Sequence, residues 1–566
     1  MSHVITQNCC NDASCVAVCP VDCIHPRPDE PEFATAEMLY IDPEVCVDCG
    51  ACVLMCPVDA ITTTDELVMP AGPFTHINAT FAAAASRAPR NRNVQLGLPS
   101  PPAVRGRLRV AIVGAGPSGM YAADHLLTTM GVDIDVTVFD RLPTPWGLVR
   151  AGVAPDHQST KHVADVFRGT AARPGFSYRL GVEIGSDLTH EELLGHFHAV
   201  IYASGATSDR ELEIPGEQLQ GSVSAREFVA WYNGHPDFTD HTYDFSHKRA
   251  VIVGNGNVAL DVARILLMDP DALARTDIAD HALEALRRSK IREVVVLGRR
   301  GLDQAAFTVG ELVGLSKLHG VSLHVEGNET PGSATTPAAQ LKRDILDDLI
   351  AQPHADRQLV LQFLASPVEV LGEEKAMALR VRRNTLGIGP NGVISAHPTD
   401  HVEDIATSLI LRSVGYRGVP IADLPFDAVH GVVPNRNGRV IETDGTTVPG
   451  AYVTGWIKRG PTGVIGTNRH CAAETTAVLL ADARARLLKE PTGTMADLDE
   501  LLASRLVTFI DAAGWNRIDV HERATGERHR RPRVKLTRSE DLLSVAAGRT
   551  RCDAESLQAD MTGASL

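Results

Sequence analysis

Nine of the eleven cysteines in this chain lie between residues 9 and 56, and four of them follow the spacing C-x2-C-x2-C-x3-C-P. These four are Cys46, Cys49, Cys52 and Cys56. This spacing holds iron–sulfur clusters, and its fourth cysteine ligates the neighbouring cluster. Zinc sites use separated cysteine pairs, and disulfides are rare in a chain that lacks secretion features. The cysteines therefore predict two iron–sulfur clusters.

The first half of the same segment repeats this spacing with one change, because Asp12 stands in the second ligand position. By the crossing rule, one 4Fe-4S cluster takes four thiolates, from Cys19, Cys46, Cys49 and Cys52. The other cluster takes three thiolates, from Cys9, Cys15 and Cys56. Three thiolates suit a 3Fe-4S cluster, since Asp12 offers a fourth iron only a hard oxygen ligand. We predict one 3Fe-4S and one 4Fe-4S cluster, with an Asp12-ligated 4Fe-4S cluster as the alternative to the former.

Residues 1 to about 62 resemble the seven-iron bacterial ferredoxins, including the PVDCI and PVDAI segments that follow each Cys-Pro pair. Those proteins often have a longer gap between their first two ligands. The resemblance therefore leaves Cys9 and Cys10 as alternatives for the first ligand. Cys23 is expected to pack near a cluster without ligating it.

A second motif is the glycine loop G-x-G-x-x-G at residues 114–119. It follows an apolar run of strand length and opens a helical pattern, so a pyrophosphate can approach the helix N-terminus. Asp140 closes the next strand, where a carboxylate binds the ribose hydroxyls of a dinucleotide without a 2′-phosphate. FAD is the predicted ligand; the alternative is that the glycines only pack helix on strand and Asp140 caps a turn. The predicted binding residues are Gly114, Gly116, Pro117, Ser118, Gly119 and Asp140.

A third motif, G-x-G-x-x-A at residues 254–259, also follows an apolar strand. The acidic residue expected after the next strand is missing, and Arg299 and Arg300 stand there instead. Guanidinium groups pair with a 2′-phosphate through charge-assisted hydrogen bonds, which predicts NADPH rather than NADH, although an arginine pair after a strand can also be a solvated loop. The predicted binding residues are Gly254, Gly256, Asn257, Val258, Arg299 and Arg300.

Several domains are needed to position these motifs, since 566 residues exceed one ordinary core. Each glycine loop belongs to a strand–loop–helix–strand pattern, which is a βαβ unit. The predicted fold class is multidomain, with an α+β bacterial ferredoxin domain followed by an α/β reductase that has two Rossmann-type domains. The predicted domains are 1–65 for the two clusters, 66–107 as a linker, 108–210 with 408–566 for FAD, and 211–407 for NADPH.

Four separated segments resemble the adrenodoxin-reductase type of NADPH–ferredoxin reductase, and the resemblance runs from about Leu108 to beyond Leu543. They are PTPWGLVRAGVAPDH, GNGNVALDVARILL, GRRG and GWIKRGPTGVIGT, which begin at Pro143, Gly254, Gly298 and Gly455. The whole chain is similar to bacterial reductases that carry a seven-iron ferredoxin at the N-terminus. The resemblance implies a ferredoxin–NADP+ reductase that passes electrons from NADPH through FAD to its own clusters, and it supports the NADPH preference.

The resemblance also implies roles for individual residues. Leu148 and Val149 would lie along the flavin. His157 and Glu311 match residues near the nicotinamide that orient the cofactor or manage protons, and they are the candidate catalytic residues. The flavin and nicotinamide rings would meet Trp456, Gly463, Val464 and Ile465.

Charge is unevenly distributed, because residues 1–65 contain eleven acidic residues and a single basic one, Arg27. We expect this acidic segment to dock on a basic face of the reductase, such as the linker arginines or the tail HERATGERHRRPRVK at 521–535. The final acceptor is expected to be an external one-electron protein, for example a ferredoxin or a cytochrome P450. No nucleic-acid or membrane partner is expected. The absence of a secretion signal and of a bilayer-length apolar run predicts a cytoplasmic protein.

Three other functions fit parts of the sequence. An accessory reductase of the glutamate synthase small-subunit kind also places clusters before FAD and NADPH folds, but the adrenodoxin-reductase segments argue against it. A disulfide reductase is excluded, because only Cys471 and Cys552 remain outside the cluster segment. A redox sensor is disfavoured by the intact nicotinamide-side motifs and by the absence of a recognisable output module.

Overall fold

The computed structural model describes residues 2–67, 72–84, 104, 106–327, 336–351, 353–388 and 394–549. The chain divides into two compact units. The first comprises Met1–Arg90, Ala154–Thr160 and Asp209–Gly415, and the second comprises Asn91–Val153, Lys161–Ser208 and Tyr416–Leu566. The first unit thus contains the cluster segment and the predicted NADPH-binding region, and the second contains the predicted FAD-binding region.

The cluster segment is built on two short antiparallel strand pairs. His3–Ile5 pairs with Ile61–Thr63, and Ile24–His25 pairs with Tyr40–Ile41. Buried aliphatic side chains such as Val4 and Ile41 form its small core. The helical elements of the segment are the α-helices Ser14–Val18 and Ala51–Met55 and the 3-10 turns Pro31–Ala34 and Thr64–Glu66.

An α-helix, Pro73–Ala84, lies within the region predicted as a linker. It packs on the strands of the cluster segment. The ring of Phe81 in the helix stacks on the ring of Tyr40 in a strand, with 4.2 Å between the ring centroids. Asn78 Oδ1 accepts the backbone N–H groups of Ile5 at 3.1 Å and Ile41 at 2.9 Å. The alanine-rich composition of this stretch did not indicate a packed helix. The linker arginines Arg87, Arg90, Arg92 and Arg105 lie outside the described residues, as does Cys552.

The predicted NADPH-binding region contains a six-stranded sheet in which every pair of neighbouring strands is parallel. In spatial order the strands are Ser222–Ser224, Ile410–Arg412, Arg249–Val253, Glu293–Leu297, Arg357–Gln362 and Val321–Glu326. The α-helices of the region are Ala225–Tyr232, Asn257–Leu267, Pro270–Leu273, Asp280–Arg287, Val309–Gly314 and Pro337–Ile350, and the 3-10 turns are Pro236–Phe238, Leu302–Gln304 and Leu315–Lys317. An antiparallel three-stranded sheet follows, with strands Ala365–Leu371, Ala378–Ile388 and Ile394–Ala406.

The predicted FAD-binding region contains a seven-stranded sheet; the last five strands in the order below are parallel. In spatial order its strands are Asn435–Arg436, Arg439–Ile441, Thr447–Val453, Ala199–Tyr202, Arg107–Val113, Asp133–Asp140 and Phe176–Leu180. Its α-helices are Pro117–Thr128, Leu148–Ala151, Val163–Ala171, His190–His196, Trp456–Arg459, Thr467–Arg484, Met495–Ser504, Ala512–Arg528 and Ser539–Ala546. The basic tail predicted as a docking face lies partly on the helix Ala512–Arg528, in this second unit.

Three short elements lie where the chain passes between the units, namely the helix Gln158–Lys161 and the two-residue strands Ser208–Asp209 and Tyr416–Arg417. In each sheet a glycine loop follows the carboxyl end of a central strand. The first loop follows Val113, the last residue of Arg107–Val113, and the second follows Val253, the last residue of Arg249–Val253. The predicted fold class is therefore confirmed. Among the described residues, no helix combines the length and the apolar character needed to cross a bilayer.

Candidate cofactor sites

The two halves of the cluster segment have matching backbone conformations at residues that are separated, like Cys19 and Cys56, by the same number of positions. In each half a short α-helix ends at the cysteine of a Cys-Pro pair, with φ −71° and ψ 116° at Cys19 and φ −77° and ψ 115° at Cys56. The same offset relates three pairs of residues with positive φ, which are Asn11 with Asp48, Ala13 with Gly50, and Asp22 with Asp59. The internal repeat of the ligand motif is therefore also a repeat of the backbone.

Asp12 stands at the position that Cys49 occupies in the second half, and Cys9 stands at the position of Cys46. The Asp12 carboxylate accepts the hydroxyl of Ser14 and, at 3.3 Å, its backbone N–H. By the same offset Cys10 corresponds to Val47, an apolar residue. The repeat thus favours Cys9 over Cys10 as a ligand, and Asp12 has a role in the first turn of its helix.

Cys9, Cys15 and Cys56 lie close enough to influence one another electrostatically. Burial raises the pKa of Cys9 to about 12, and the nearby Cys56 and Asp12 add to the rise. Burial also raises the pKa of Cys15 well above its usual value, and the same neighbours contribute. Thiols of this kind ligate only as thiolates, which need a strong positive charge beside them. Because the three cysteines and one carboxyl converge in a buried place, this donor set fits an iron–sulfur cluster.

The second group of cysteines also converges. Burial raises the pKa of Cys52 to about 11, with Cys46 and Cys49 as charged neighbours. Cys19 Sγ lies 3.4 Å from Cys23 Sγ, and Cys46 is among the neighbours that raise the pKa of Cys23. Cys19 therefore lies beside the cysteines of the other half, as the crossing rule predicts, and Cys23 packs against this group.

The first glycine loop has backbone contacts that only glycine allows. Gly114 has φ +109°, and a Cβ atom there would lie 2.5 Å from the Ala203 carbonyl oxygen. A Cβ at Gly119 would lie 2.0 Å from the Gly114 carbonyl oxygen. The loop leads into the twelve-residue helix Pro117–Thr128, whose first-turn N–H groups have no intrahelical acceptor. This geometry is suited to the pyrophosphate of a dinucleotide.

Asp140 lies at the end of the next strand, beside this loop. Its carboxylate accepts the backbone N–H of Ala115 at 2.8 Å and that of Leu142 at 2.9 Å. Burial raises the pKa of Asp140. The side chain therefore holds two turns together, which is the turn-capping role left open by the sequence, and it does so next to the loop where FAD is predicted.

The segment Gly455–Thr467 meets the first glycine loop. The Ser118 hydroxyl donates to Asn468 Oδ1 at 2.8 Å, and Asn468 Nδ2 donates to the carbonyls of Val464 at 3.2 Å and Ile465 at 3.0 Å. A Cβ at Gly455 would lie 2.0 Å from Ser118 Oγ. Structure thus brings together two predicted FAD segments that are far apart in sequence. Asn468, which links them, was missed because a single asparagine in a helix carries no recognisable signal.

The remaining flavin-side residues differ in exposure. Val149 is buried, whereas Leu148 is exposed. Trp456 stacks on Tyr416 with 5.6 Å between ring centroids, and its Nε1–H donates to the Thr462 carbonyl at 3.1 Å. Gly463, the residue after Thr462, is exposed. Both Leu148 and Gly463 therefore have surface that an aromatic ring could cover.

The second glycine loop repeats the geometry of the first. Gly254 has φ +110°, and a Cβ there would lie 2.1 Å from the Ser413 carbonyl oxygen. No described atom lies within 4 Å of a Cβ placed at Gly256, so this side of the loop is open. Asn257 Oδ1 accepts the Thr308 N–H at 2.8 Å. The loop is thus fixed to the segment that precedes Glu311.

Arg299 and Arg300 follow the strand Glu293–Leu297, and their backbones are held in place. Asn384 Nδ2 donates to the Arg299 carbonyl at 2.9 Å, and the Leu364 N–H donates to the Arg300 carbonyl at 3.2 Å. Arg299 is exposed. Within the part of the chain that the structure describes, neither guanidinium has an ion-pair partner, so both are available to an anionic ligand.

His157 and Glu311 converge on a residue that the sequence did not single out, the buried Arg264, which is 2% exposed. Its guanidinium donates to Asp156 at 2.5 Å, to Asp261 at 2.6 Å and to His157 Nε2 at 2.8 Å, and it lies 3.5 Å from Glu311 Oε2. Since a guanidinium can only donate, His157 Nε2 accepts, and a neutral ring then carries its proton on Nδ1. The only sequence feature that could have indicated this role for Arg264 was its spacing, since Asp261 lies three residues before it on the helix that follows the second glycine loop.

The carboxyl groups around Arg264 titrate differently. Burial and the neighbouring Asp261 raise the pKa of Glu311. Burial opposes ionisation of Asp156 as well, but Arg264 outweighs it and lowers the pKa of that carboxyl. Ligand atoms of His157, Asp261 and Glu311 lie within 4.8 Å of one another, a spacing that could hold a cation. Here the Arg264 guanidinium already places a positive charge beside Asp261 and Glu311.

Two family matches cover the two parts of the chain. Residues 39–62 match the 4Fe-4S binding domain family, and residues 108–288 match the pyridine nucleotide-disulphide oxidoreductase family. The second range contains no cysteine. This region therefore matches that family but cannot form a redox disulfide within the matched residues.

Several relatives match over most of the chain. The “Probable ferredoxin/ferredoxin--NADP reductase” of Mycobacterium tuberculosis is 48% identical over 96% of this chain and 95% of its own length. The mitochondrial NADPH:adrenodoxin oxidoreductase of Arabidopsis thaliana is 42% identical over 78% of this chain and 95% of its own. The solved structure of Mycobacterium tuberculosis FprA in complex with NADPH is 44% identical, with a TM-score of 0.74 over 78% of this chain and 100% of that one.

Two glycines that flank the helix Trp456–Arg459 provide a test of the flavin-side geometry. Both have positive φ, +76° at Gly455 and +84° at Gly460, but only a Cβ at Gly455 meets a neighbour, Ser118. Gly455→Ala should abolish FAD retention, whereas Gly460→Ala should keep it and cost only the strain of a backbone conformation used almost only by glycine, about 1–3 kcal/mol. The flavin-to-protein absorbance ratio and the unfolding temperature measure both effects. Equal flavin loss in the two variants would contradict this account of the loop.

The raised pKa of Glu311 predicts a pH-dependent stability. A carboxyl whose pKa is higher in the folded state favours folding at low pH, and this contribution disappears as pH rises through the folded pKa. Glu311→Gln mimics the protonated group at every pH. The variant should therefore gain thermal stability over the parent as pH rises from about 5 to about 8. Glu284→Gln, which removes an exposed carboxylate, should show no such trend; the same trend in both would contradict the assignment.

Proposed function

Because the chain belongs to the family of ferredoxin/ferredoxin–NADP reductases, as its sequence resemblance predicts, we propose that it takes electrons from NADPH, with bound FAD, into its own iron–sulfur domain and delivers them to an external one-electron acceptor. The observation that carries this proposal is the presence in one chain of the cysteine segment and both glycine-loop folds, matched along nearly its whole length by named ferredoxin–NADP reductases. The whole-length match also favours this function over a glutamate synthase accessory reductase.

On the flavin side, the proposal is supported by the contact between the first glycine loop and the segment 455–467. Gly114, Gly116 and Gly119 with Pro117 and Ser118 form the pyrophosphate loop, and Asp140 fixes it from the next strand. Leu148, Val149, Trp456, Gly463, Val464 and Ile465 are proposed to surround the ring system. When bound, FAD supplies the conversion between a two-electron hydride donor and one-electron carriers.

On the NADPH side, Gly254, Gly256, Asn257 and Val258 are proposed to bind the pyrophosphate, and Arg299 and Arg300 the 2′-phosphate. Glu311 is proposed to hold a proton near the nicotinamide, because burial and Asp261 raise its pKa. His157 is oriented by Arg264 through Nε2, which leaves Nδ1–H as its donor. Arg264 touches both candidates and is proposed as a positioning residue.

In the iron–sulfur domain we propose a 4Fe-4S cluster on Cys19, Cys46, Cys49 and Cys52 and a 3Fe-4S cluster on Cys9, Cys15 and Cys56. Convergence of these two thiol groups across the halves supports the assignment. The engagement of Asp12 with Ser14 supports a three-iron cluster, since this carboxylate already has hydrogen-bond donors. The acceptor is proposed to be a ferredoxin or a cytochrome P450 system, and the location cytoplasmic.

One anaerobic experiment tests the proposed function. NADPH is added to the purified protein, and flavin bleaching, the EPR signals of the clusters and reduction of a one-electron acceptor are followed together. Flavin bleaching should precede cluster reduction. Absence of flavin reduction by NADPH would contradict the central claim, and flavin reduction without cluster reduction would contradict the role of the fused domain.

Arg300→Ala should weaken NADPH binding by roughly ten-fold or more, because it removes a charge-assisted hydrogen bond to the 2′-phosphate. NADH carries no such phosphate, so its KM should stay unchanged. Arg292→Ala provides the control, since Arg292 is exposed just before the opposite end of the same strand. Flavin reduction rates at varied NADPH and NADH concentrations give both constants. An unchanged NADPH-to-NADH ratio in Arg300→Ala would refute the phosphate assignment.

Asp12→Cys should complete the fourth ligand position of the first cluster and convert a three-iron centre into a four-iron one. Iron content should rise from about seven to about eight atoms per chain, and the EPR signal of the oxidised three-iron cluster should disappear. Cys10→Ala is the matched control and should leave both measurements unchanged. If the parent already contains eight iron atoms, the first cluster is the Asp12-ligated alternative.

A further inference from the structure

The cluster segment and the NADPH-binding region lie in one compact unit and touch through Glu37. Glu37 Oε2 accepts the N–H of Val309 at 2.8 Å, at the start of the helix that carries Glu311. Its Oε1 lies 3.9 Å from Lys342 Nζ. Lys342 is itself buried, donates to the Ala305 carbonyl at 3.0 Å and lies 5.3 Å above the Phe307 ring. This carboxylate thus fits a site prepared by the reductase.

A second contact lies on the same short helix, Val309–Gly314. Gln7 approaches it so closely that a Cβ at Gly310 would be 3.4 Å from Gln7 Cβ. Gln7 Oε1 and Glu311 Oε2 lie 3.8 and 4.0 Å from the Cβ position of Gly314, so both reach the same point of the helix. The glycines at 310 and 314 leave room for Gln7. Gln7 precedes Cys9 by two residues, so the three-cysteine site adjoins this helix.

A third contact extends the surface, because the helix Pro73–Ala84 packs against the reductase helix Pro337–Ile350, which carries Lys342. We define the seat as the surface formed by Val309–Gly314 and Pro337–Ile350. It receives the ferredoxin domain through Glu37, Gln7 and the helix Pro73–Ala84. Two of these contacts lie close to the three-cysteine site, because Gln7 is two residues before Cys9 and the backbone of Leu39, two residues after Glu37, is hydrogen-bonded to Cys9.

The four-cysteine site has a different environment. Cys49 is exposed, and the residues around it expose apolar surface, with Leu54 at 88% and Val47 at 58%. We define the apolar patch as Val45, Val47, Val53, Leu54 and Met55. Exposed Glu44 and Asp59 lie beside it in the sequence, and Arg27, the single basic residue of 1–65, is buried with Asp29 and Glu30 as its partners. An apolar centre with acidic residues around it fits a partner that has an apolar centre and a basic rim.

Resting on the proposed function, we propose that electrons pass through the two clusters in a fixed order. The three-cysteine cluster, held at the seat, receives electrons from the reductase. The four-cysteine cluster, beneath the apolar patch, passes them to a basic one-electron acceptor protein. The seat places the first cluster beside the Glu311 helix, where the nicotinamide is proposed to bind. The apolar patch leaves the second cluster accessible from outside. Glu37 is a positioning residue in this arrangement.

The seat is tested with Glu37→Ala, and Glu32→Ala serves as control because Glu32 is an exposed carboxylate of the same domain. Glu37→Ala should speed hydrogen exchange at the Val309 amide, because that N–H loses its acceptor. It should also slow cluster reduction by NADPH by roughly ten-fold, because losing one charge-assisted hydrogen bond lowers the fraction of molecules in which the ferredoxin domain occupies the seat. Flavin reduction by NADPH should persist, since Thr308 Oγ1 still accepts the Glu311 N–H at 3.2 Å. Gly310→Leu, which fills the space of Gln7, should have the same effect.

The apolar patch is tested with Leu54→Ser combined with Met55→Ser, and Met130→Ser is the control because Met130 is an exposed methionine in the other unit. The double variant should keep cluster reduction by NADPH but slow reoxidation of the clusters by cytochrome c, a basic acceptor protein. Reoxidation by ferricyanide, a small ion, should not change. The EPR spectrum and iron content confirm that both clusters are intact.

Reversed results would overturn the proposal. If Glu37→Ala slows only reoxidation by cytochrome c, or if the Leu54/Met55 variant slows reduction by NADPH, then the two clusters have the opposite order. If neither variant changes either rate, the seat and the apolar patch are not electron-transfer surfaces. Failure of the proposed function itself looks different, because the flavin of the parent protein would then not be reduced by NADPH.

Discussion

The buried guanidinium of Arg264 connects segments that are far apart in the sequence. It holds Asp156 and His157 of the segment 154–160, Asp261 of its own helix, and Glu311 of the helix Val309–Gly314. A charge removed from water needs partners, and loss of one partner from such a group typically costs about 3–5 kcal/mol. Burial, together with the neighbouring Asp261, raises the pKa of Glu311, whereas at Asp156 the guanidinium outweighs burial and the pKa is lowered. The same charge arrangement therefore links these segments and favours the protonated form of Glu311.

The helix that carries Glu311 extends this network to the ferredoxin domain. Its first N–H is satisfied by Glu37, and its glycines at 310 and 314 face Gln7. The covalent fusion already raises the local concentration of the ferredoxin domain at the reductase. Specific contacts add orientation, which a tether alone cannot provide. The sequence suggested docking on the linker arginines or the basic tail, whereas the contacts of the first unit use Lys342 and a helix N-terminus.

The two nucleotide-binding folds solve the same steric problem in the same way. A Cβ atom at Gly114 would lie 2.5 Å from a neighbouring carbonyl oxygen, and one at Gly254 would lie 2.1 Å from another. No side chain therefore fits at either position. Close approach of the backbone leaves N–H groups at a helix start facing the place where a pyrophosphate can bind. On the flavin side Asn468 then joins the loop to Val464 and Ile465. The residues around a large cofactor are in this way held by the backbone before the cofactor binds.

The sequence alone determined what depends on local spacing. Cysteine triplets, glycine loops after apolar strands, and Arg299 and Arg300 in place of an acidic residue indicated iron–sulfur, FAD and NADPH binding and the fold class, because these chemistries need fixed residue types at short separations. The tertiary structure decided what depends on distant residues meeting. Arg264, Asn468 and the helix Pro73–Ala84 escaped detection, since a buried charge, a linking amide or an alanine-rich helix is recognisable only from its neighbours. The contact of Glu37 with Val309 spans 272 residues, and no local pattern encodes such a pairing.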